Sequence, residues 1–155
     1  MKKLIIILLF ACSILSAQNY SYQKPKWKHT EAAITIGTNI AAIAFGAMGD
    51  AYNDTDRKEL GHFLNAASVA VLVARPFMSE MDRKSWGWYA ASYTFIRIGA
   101  FDPIYNATRG LPLGYTGTTS LWDQGIQSLK APDSWKLAYQ SLYFIVGVSI
   151  PINEL

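Results

Sequence analysis

Long apolar runs alternate with short polar breaks along this chain, and the runs have the lengths of helices rather than strands. Residues 31–49, 62–81, 86–107 and 135–152 are each predicted to be helical. In the first run Thr35, Thr38, Ala42 and Gly46 recur at spacings of three and four, so small and weakly polar residues share one face. Ile34, Ile36, Ile40, Ile43 and Phe45 fill much of the remainder, which makes the segment apolar nearly all round. Small faces of that kind let helices approach closely in a membrane. In the second run Asn65, Ser68 and Arg75 fall on one side, with Val69, Val71, Leu72 and Val73 around the rest. Pro76 removes a backbone donor directly after Arg75 and predicts a kink there.

The third run opens with Trp86, Trp88 and Tyr89, the residue types of an aromatic belt, and places Tyr93 and Arg97 on one face. Pro103 disfavours helix at the residue before it, so a break is predicted at Asp102, with Asp102 capping a further turn. From Arg97 to Asp123 the chain turns polar, rich in Gly, Pro, Thr and Ser. Ser120 and Asp123 form a capping-box pattern that opens a short helix toward Leu129, amphipathic through Trp122. The last run, 135–152, has no charge after Lys136.

The N-terminus reads differently. Met1-Lys2-Lys3, an apolar core over 4–15 and Ser16-Ala17 give the pattern of a bacterial secretory signal cleaved after Ala17. That core is shorter than the roughly 20 residues of a comfortable span. Two alternatives stay open: a lipoprotein box ending at Cys12, against which Phe10 is bulky, and an uncleaved anchor. Residues 18–30 then interleave Tyr20, Tyr22 and Trp27 with Lys24, Lys26 and Lys28, which suits a membrane interface as well as a solvated terminus.

Composition sharpens this picture. Charged residues are 16% of the chain, below the roughly 25% of soluble domains, while aromatics reach 14%. The net charge of +3 is spread over short clusters with no long basic stripe, which excludes a phosphate-neutralising nucleic-acid surface. A single cysteine excludes an internal disulfide framework. Asp50, Asp54, Asp56, Glu59 and His62 lie close in sequence, but their spacing does not fit a calcium loop, and a solvated turn accounts for them. No metal site and no cofactor is expected.

The predicted fold is all-α: a small polytopic membrane bundle of about four transmembrane helices after an N-terminal signal segment, plus a short amphipathic helix. Its divisions are a signal peptide at 1–17, an aromatic and basic segment at 18–30, and one helical membrane domain at 31–155. The expected location is the inner membrane of a bacterial cell envelope, with several passes. Ionisable residues within spans are functional candidates by default, because each costs free energy unless paired or solvated. Arg75, Arg97, Asp102, Asn106 and Arg109 form the candidate ligand-binding set, with Glu31, Asn65 and Glu80 as a candidate intramembrane polar network. Two arginines beside Gly-rich backbone suit an anionic lipid headgroup. Against this stands an internal ion-pair network, Arg97 with Asp102 or Glu31 and Arg75 with Glu80, that would only fix helix register.

Lipid-phosphatase and phosphatidyltransferase patterns are not met: Arg75-Pro76 follows Gly61-His62 in the wrong order, and Asp50-Ala51 lacks its further aspartates. Nothing in the sequence decides whether the protein is an enzyme. The expected role is structural or accessory, with the bilayer and another membrane protein as partners. The alternative is a membrane-embedded enzyme or binder acting on an anionic lipid-like ligand through Arg75, Arg97, Asp102 and Arg109.

Overall fold

The computed structural model describes residues 28–78, 85–117, 121–128 and 132–152. The signal, lipidation and interface readings over residues 1–27 lie outside the described residues, as do Glu80 and Ser120. Among the described residues there are five helices: α1 (His29–Asn53), α2 (Lys58–Met78), α3 (Trp86–Thr108), α4 (Leu121–Ser128) and α5 (Asp133–Ile152). Among the described residues there is no strand, so the all-α reading holds.

α1 is the hub of the bundle. It packs against α2 and α3 and touches α5 more lightly, α3 packs against α5, and among the described residues α2 packs its backbone only on α1, reaching α3 through the Arg75 side chain at Tyr89. α1 and α3 run parallel, since Asn39 meets Ser92 and Asp54 meets Tyr105. α2 and α5 run antiparallel to them. The predicted small face of α1 is its contact face: Thr35, Thr38, Ala42 and Gly46 are all buried. The side of α2 that carries Asn65, Ser68 and Arg75 is the side turned to α1. There Ser68 donates to the Ala42 carbonyl at 2.7 Å and Asn65 donates to Asp50 at 2.9 Å.

The connector between α1 and α2 is shorter than the polar stretch 50–61 implied. Helix continues through Asn53 and resumes at Lys58, because Gly49 and Gly61 let the two backbones cross in contact. A Cβ on Gly49 would stand 2.9 Å from the Gly61 carbonyl oxygen. The same device joins α3 to α5. A Cβ on Gly99 would meet the Gln140 carbonyl oxygen at 2.5 Å, and one on Gly147 would meet the Ile96 nitrogen at 2.6 Å.

The break expected at Asp102-Pro103 does not occur, and α3 runs unbroken to Thr108 with Pro103 inside it. The fixed φ of proline is itself helical, and the packing of α3 against α1 and α5 offsets the hydrogen bond lost by the Gly99 carbonyl. α2 likewise continues past Pro76 to Met78.

Only α1 is long and apolar enough, among the described residues, to cross a membrane by length and composition. α2, α3 and α5 have 21, 23 and 20 residues, but Trp, Tyr and ionisable residues dilute their apolar content. The expected bundle is therefore found as a bundle, with one candidate span rather than four on this criterion.

Candidate functional site

The interior of the bundle is small and polar. Among the described residues, the buried aliphatic side chains are mostly alanines, Ala32, Ala42, Ala47 and Ala51, with Ile43 and Ile96. Thr35, Asn39, Ser92, Arg75 and Gln140 are almost fully buried among them. Each polar group needs an internal partner, because a buried donor or acceptor left unmade costs about 1–3 kcal/mol. The helices supply most of those partners at three levels, leaving Asn39 Oδ1 and Gln140 Oε1 buried without one among the described residues.

At the end where α1 and α3 begin, Arg75 of α2 donates to Thr35 Oγ1 at 2.6 Å and lies 5.7 Å from the centre of the Tyr89 ring. Arg75 therefore ties α2 to α1 and α3 together. Glu31 accepts a hydrogen bond from the Lys28 backbone at 3.1 Å, closing the start of α1. Half-way along, Asn39 Nδ2 donates to Ser92 Oγ at 3.2 Å, and Ser92 Oγ donates to the Gly147 carbonyl at 2.8 Å. That chain joins α1, α3 and α5.

At the opposite end α3, α5 and the segment after α3 converge. The Lys136 ammonium lies 3.1 Å from the Asp102 carboxylate and donates to the Tyr115 carbonyl at 2.7 Å. Asn106 Nδ2 is shared between the Leu113 and Tyr115 carbonyls, both at 2.9 Å, and Gln140 donates to Asp102 at 3.3 Å. Beside this cluster, on the surface, Tyr105 donates to Asp54. Arg109 donates to the Tyr105 hydroxyl at 2.7 Å and lies 3.6 Å from Asp54. The Tyr105 oxygen raises the Arg109 pKa further above its ordinary value, so Arg109 stays a cation throughout the accessible pH range.

The five residues singled out as a ligand set are thus divided. Asp102 and Asn106 share one cluster, Arg109 sits beside it on the surface, and Arg75 lies at the far end of the bundle. The stretch of α1 from Thr35 to Asp54, with which those two ends make contact, spans nearly 30 Å of helix. Arg97 stands apart from both. It is exposed, its guanidinium is 4.1 Å from the centre of the Phe101 ring, and among the described residues no carboxylate lies within 4 Å of it. The pairing expected between Arg97 and Asp102 is replaced by the pairing of Asp102 with Lys136. Of the candidate polar network, Glu31 and Asn65 belong to different ends of α1.

Lys136, Gln140, Asn39 and Ser92 were not among the candidates, although one signal for the first two was present. Asp102 and Asn106 are four apart on α3, and Lys136 and Gln140 are four apart on α5, so each pair makes a polar stripe on one face. Among the described residues no three His, Cys, Asp or Glu side chains gather as metal ligands. Comparison with protein families, with curated proteins and with solved structures finds no match to this chain.

Proposed function

We propose that this protein is a multi-pass membrane protein of structural or accessory type, whose interior polar contacts hold its helices in register. The supporting observation is the inverted distribution of polarity. Phe63, Val69, Val73 and Phe77 of α2 and Leu142 and Ile145 of α5 face outward, with Phe77 86% exposed, while Thr35, Asn39, Ser92, Arg75 and Gln140 are shut inside. In water the hydrophobic effect drives the opposite arrangement. In hydrocarbon, large apolar side chains belong outside, and polar ones are satisfied between helices.

Length agrees with this reading. At 1.5 Å per residue the 25 residues of α1 extend about 37 Å, against a hydrocarbon thickness of about 30 Å. The proposed setting is the inner membrane of a bacterial envelope, reached through the N-terminal signal pattern. The proposed partners are the bilayer and another membrane protein.

An alkaline carbonate wash of membranes from expressing cells tests the reading. The chain is expected to stay in the pellet and to need detergent for release. Recovery in the wash supernatant would overturn it.

A ligand-binding role has support at one position only. The Phe101 ring offers Arg97 about 0.5–2 kcal/mol. That contact alone does not replace the solvation an arginine loses in hydrocarbon, which leaves a place for an anionic partner.

A further inference from the structure

We propose that the Arg97 guanidinium is the attachment point for the anionic headgroup of a phospholipid seated in the crease between α2 and α3. The proposal rests on the bilayer setting inferred above. α2 and α3 both lean on α1 and do not pack against each other, so a crease runs between them along the small face of α1. Arg75, placed between Thr35 and Tyr89, bridges one end of that crease. Further along, Arg97 reaches over α1 from the α3 side toward Ser68 on the α2 side. A Cβ built on Gly46 would stand 3.9 Å from Arg97 Nη1 and 3.3 Å from Ser68 Oγ.

Depth selects the occupant. Gly46 lies about 10 Å along the axis from the end of α1 at Asn53. A helix of about 37 Å centred on about 30 Å of hydrocarbon overhangs it by about 4 Å at each end. The guanidinium is then roughly one helical turn below headgroup level, with its stem and charge against Phe101. A phosphate drawn in by that distance meets a planar donor fork suited to two of its oxygens. Among the described residues no carboxylate lies within 4 Å of the Arg97 guanidinium. Asp50, one turn further along α1, is held by Asn65 and lies beyond ion-pair distance of Arg97. The remaining groups on this side of α3, Tyr89, Tyr93 and Phe101, supply ring surface for an acyl chain and no counter-charge.

The test uses the full chain purified in a neutral detergent and supplied with phosphatidylglycerol or phosphatidylcholine, with bound lipid read by native mass spectrometry. Wild type is expected to retain phosphatidylglycerol over phosphatidylcholine. Arg97→Gln should lose that retention about tenfold or more, Arg97→Lys only in part, and Arg109→Gln not at all. A second measurement needs no variant: phosphatidylglycerol should raise the Tm of delipidated wild type, and phosphatidylcholine should not. Equal retention by wild type and Arg97→Gln would overturn the proposal. So would equal loss in Arg109→Gln, or an unchanged Tm. A chain that remains in the pellet of the alkaline wash but fails these measurements leaves the membrane reading standing without the lipid. A chain released by the wash removes both.

Discussion

Lys136 puts its ammonium 3.1 Å from the Asp102 carboxylate while its own side chain is 3% exposed and that of Asp102 is 31% exposed. The pair is asymmetric, with a fully desolvated cation held by an anion that still touches the surface. Removing the anion is therefore the damaging change, because it strands a buried charge. Asp102→Asn should destabilise the bundle by about 2–4 kcal/mol, and Asp102→Asn with Lys136→Met should recover most of that loss. Thermal unfolding of the purified single and double variants measures it. A double variant as unstable as Asp102→Asn alone would show that the ion pair is not what matters there.

At the other end Arg75 is itself the buried charge, and Thr35 and Tyr89 beside it are neutral. Its guanidinium is wholly buried, between Thr35 and Tyr89. Arg75→Gln should cost about 1.5–3 kcal/mol of stability through the lost charge-assisted bond to Thr35, and Arg75→Lys nearly as much, since an ammonium cannot both cover the ring and reach Thr35. If Arg75→Gln unfolds at the wild-type temperature, the arginine does not clamp these helices.

The Asn39–Ser92 bond is expected to be weak for its burial. Interhelical hydrogen bonds between neutral groups in membrane proteins couple by about 0.6 kcal/mol on average and about 1.7 at most. A double-mutant cycle with Asn39→Ala and Ser92→Ala should fall in that range. A coupling well above it would argue for a more cooperative network through Gly147.

The α3–α5 crossing admits no side chain at Gly99. Gly99→Ala would set a Cβ 2.5 Å from the Gln140 carbonyl oxygen, so the helices must part. A loss of about 1–3 kcal/mol is expected, with a larger loss for Gly99→Val. Unchanged unfolding of Gly99→Ala would mean that the two helices separate without penalty.

Helix periodicity made much of this fold readable. Thr35, Thr38, Ala42 and Gly46 announced a contact face because spacing alone fixes which side chains share a side of a helix, and the same held for Asn65, Ser68 and Arg75. The ends of elements were read less well. Asp102-Pro103 looked like a break because the local preference of a residue before proline is extended, and packing against two neighbouring helices overrides that preference. The Lys136–Asp102 pair was hidden for a different reason. Its members are far apart in sequence, and nothing local told whether Lys136 ends a span at the water or turns inward. Arg97 was placed in a cluster by its chemistry, and its position over Gly46 separates it from every carboxylate among the described residues.

The close packing of α2 on α1, with only the Arg75 side chain reaching α3, has a consequence for how the chain assembles. α1 and α2 form a self-contained hairpin, joined by a tight turn and a crossing of two glycines, and can pair as soon as both have been made. α3 and α5 must then find α1 and each other, and the bond from Lys136 to the Tyr115 carbonyl forms only once α5 has arrived. Opening should follow the same seams in reverse. α2 has one backbone interface and the Arg75 clamp on Tyr89 to lose, so its backbone amides should exchange with solvent hydrogen before those of α3, which packs closely on two sides.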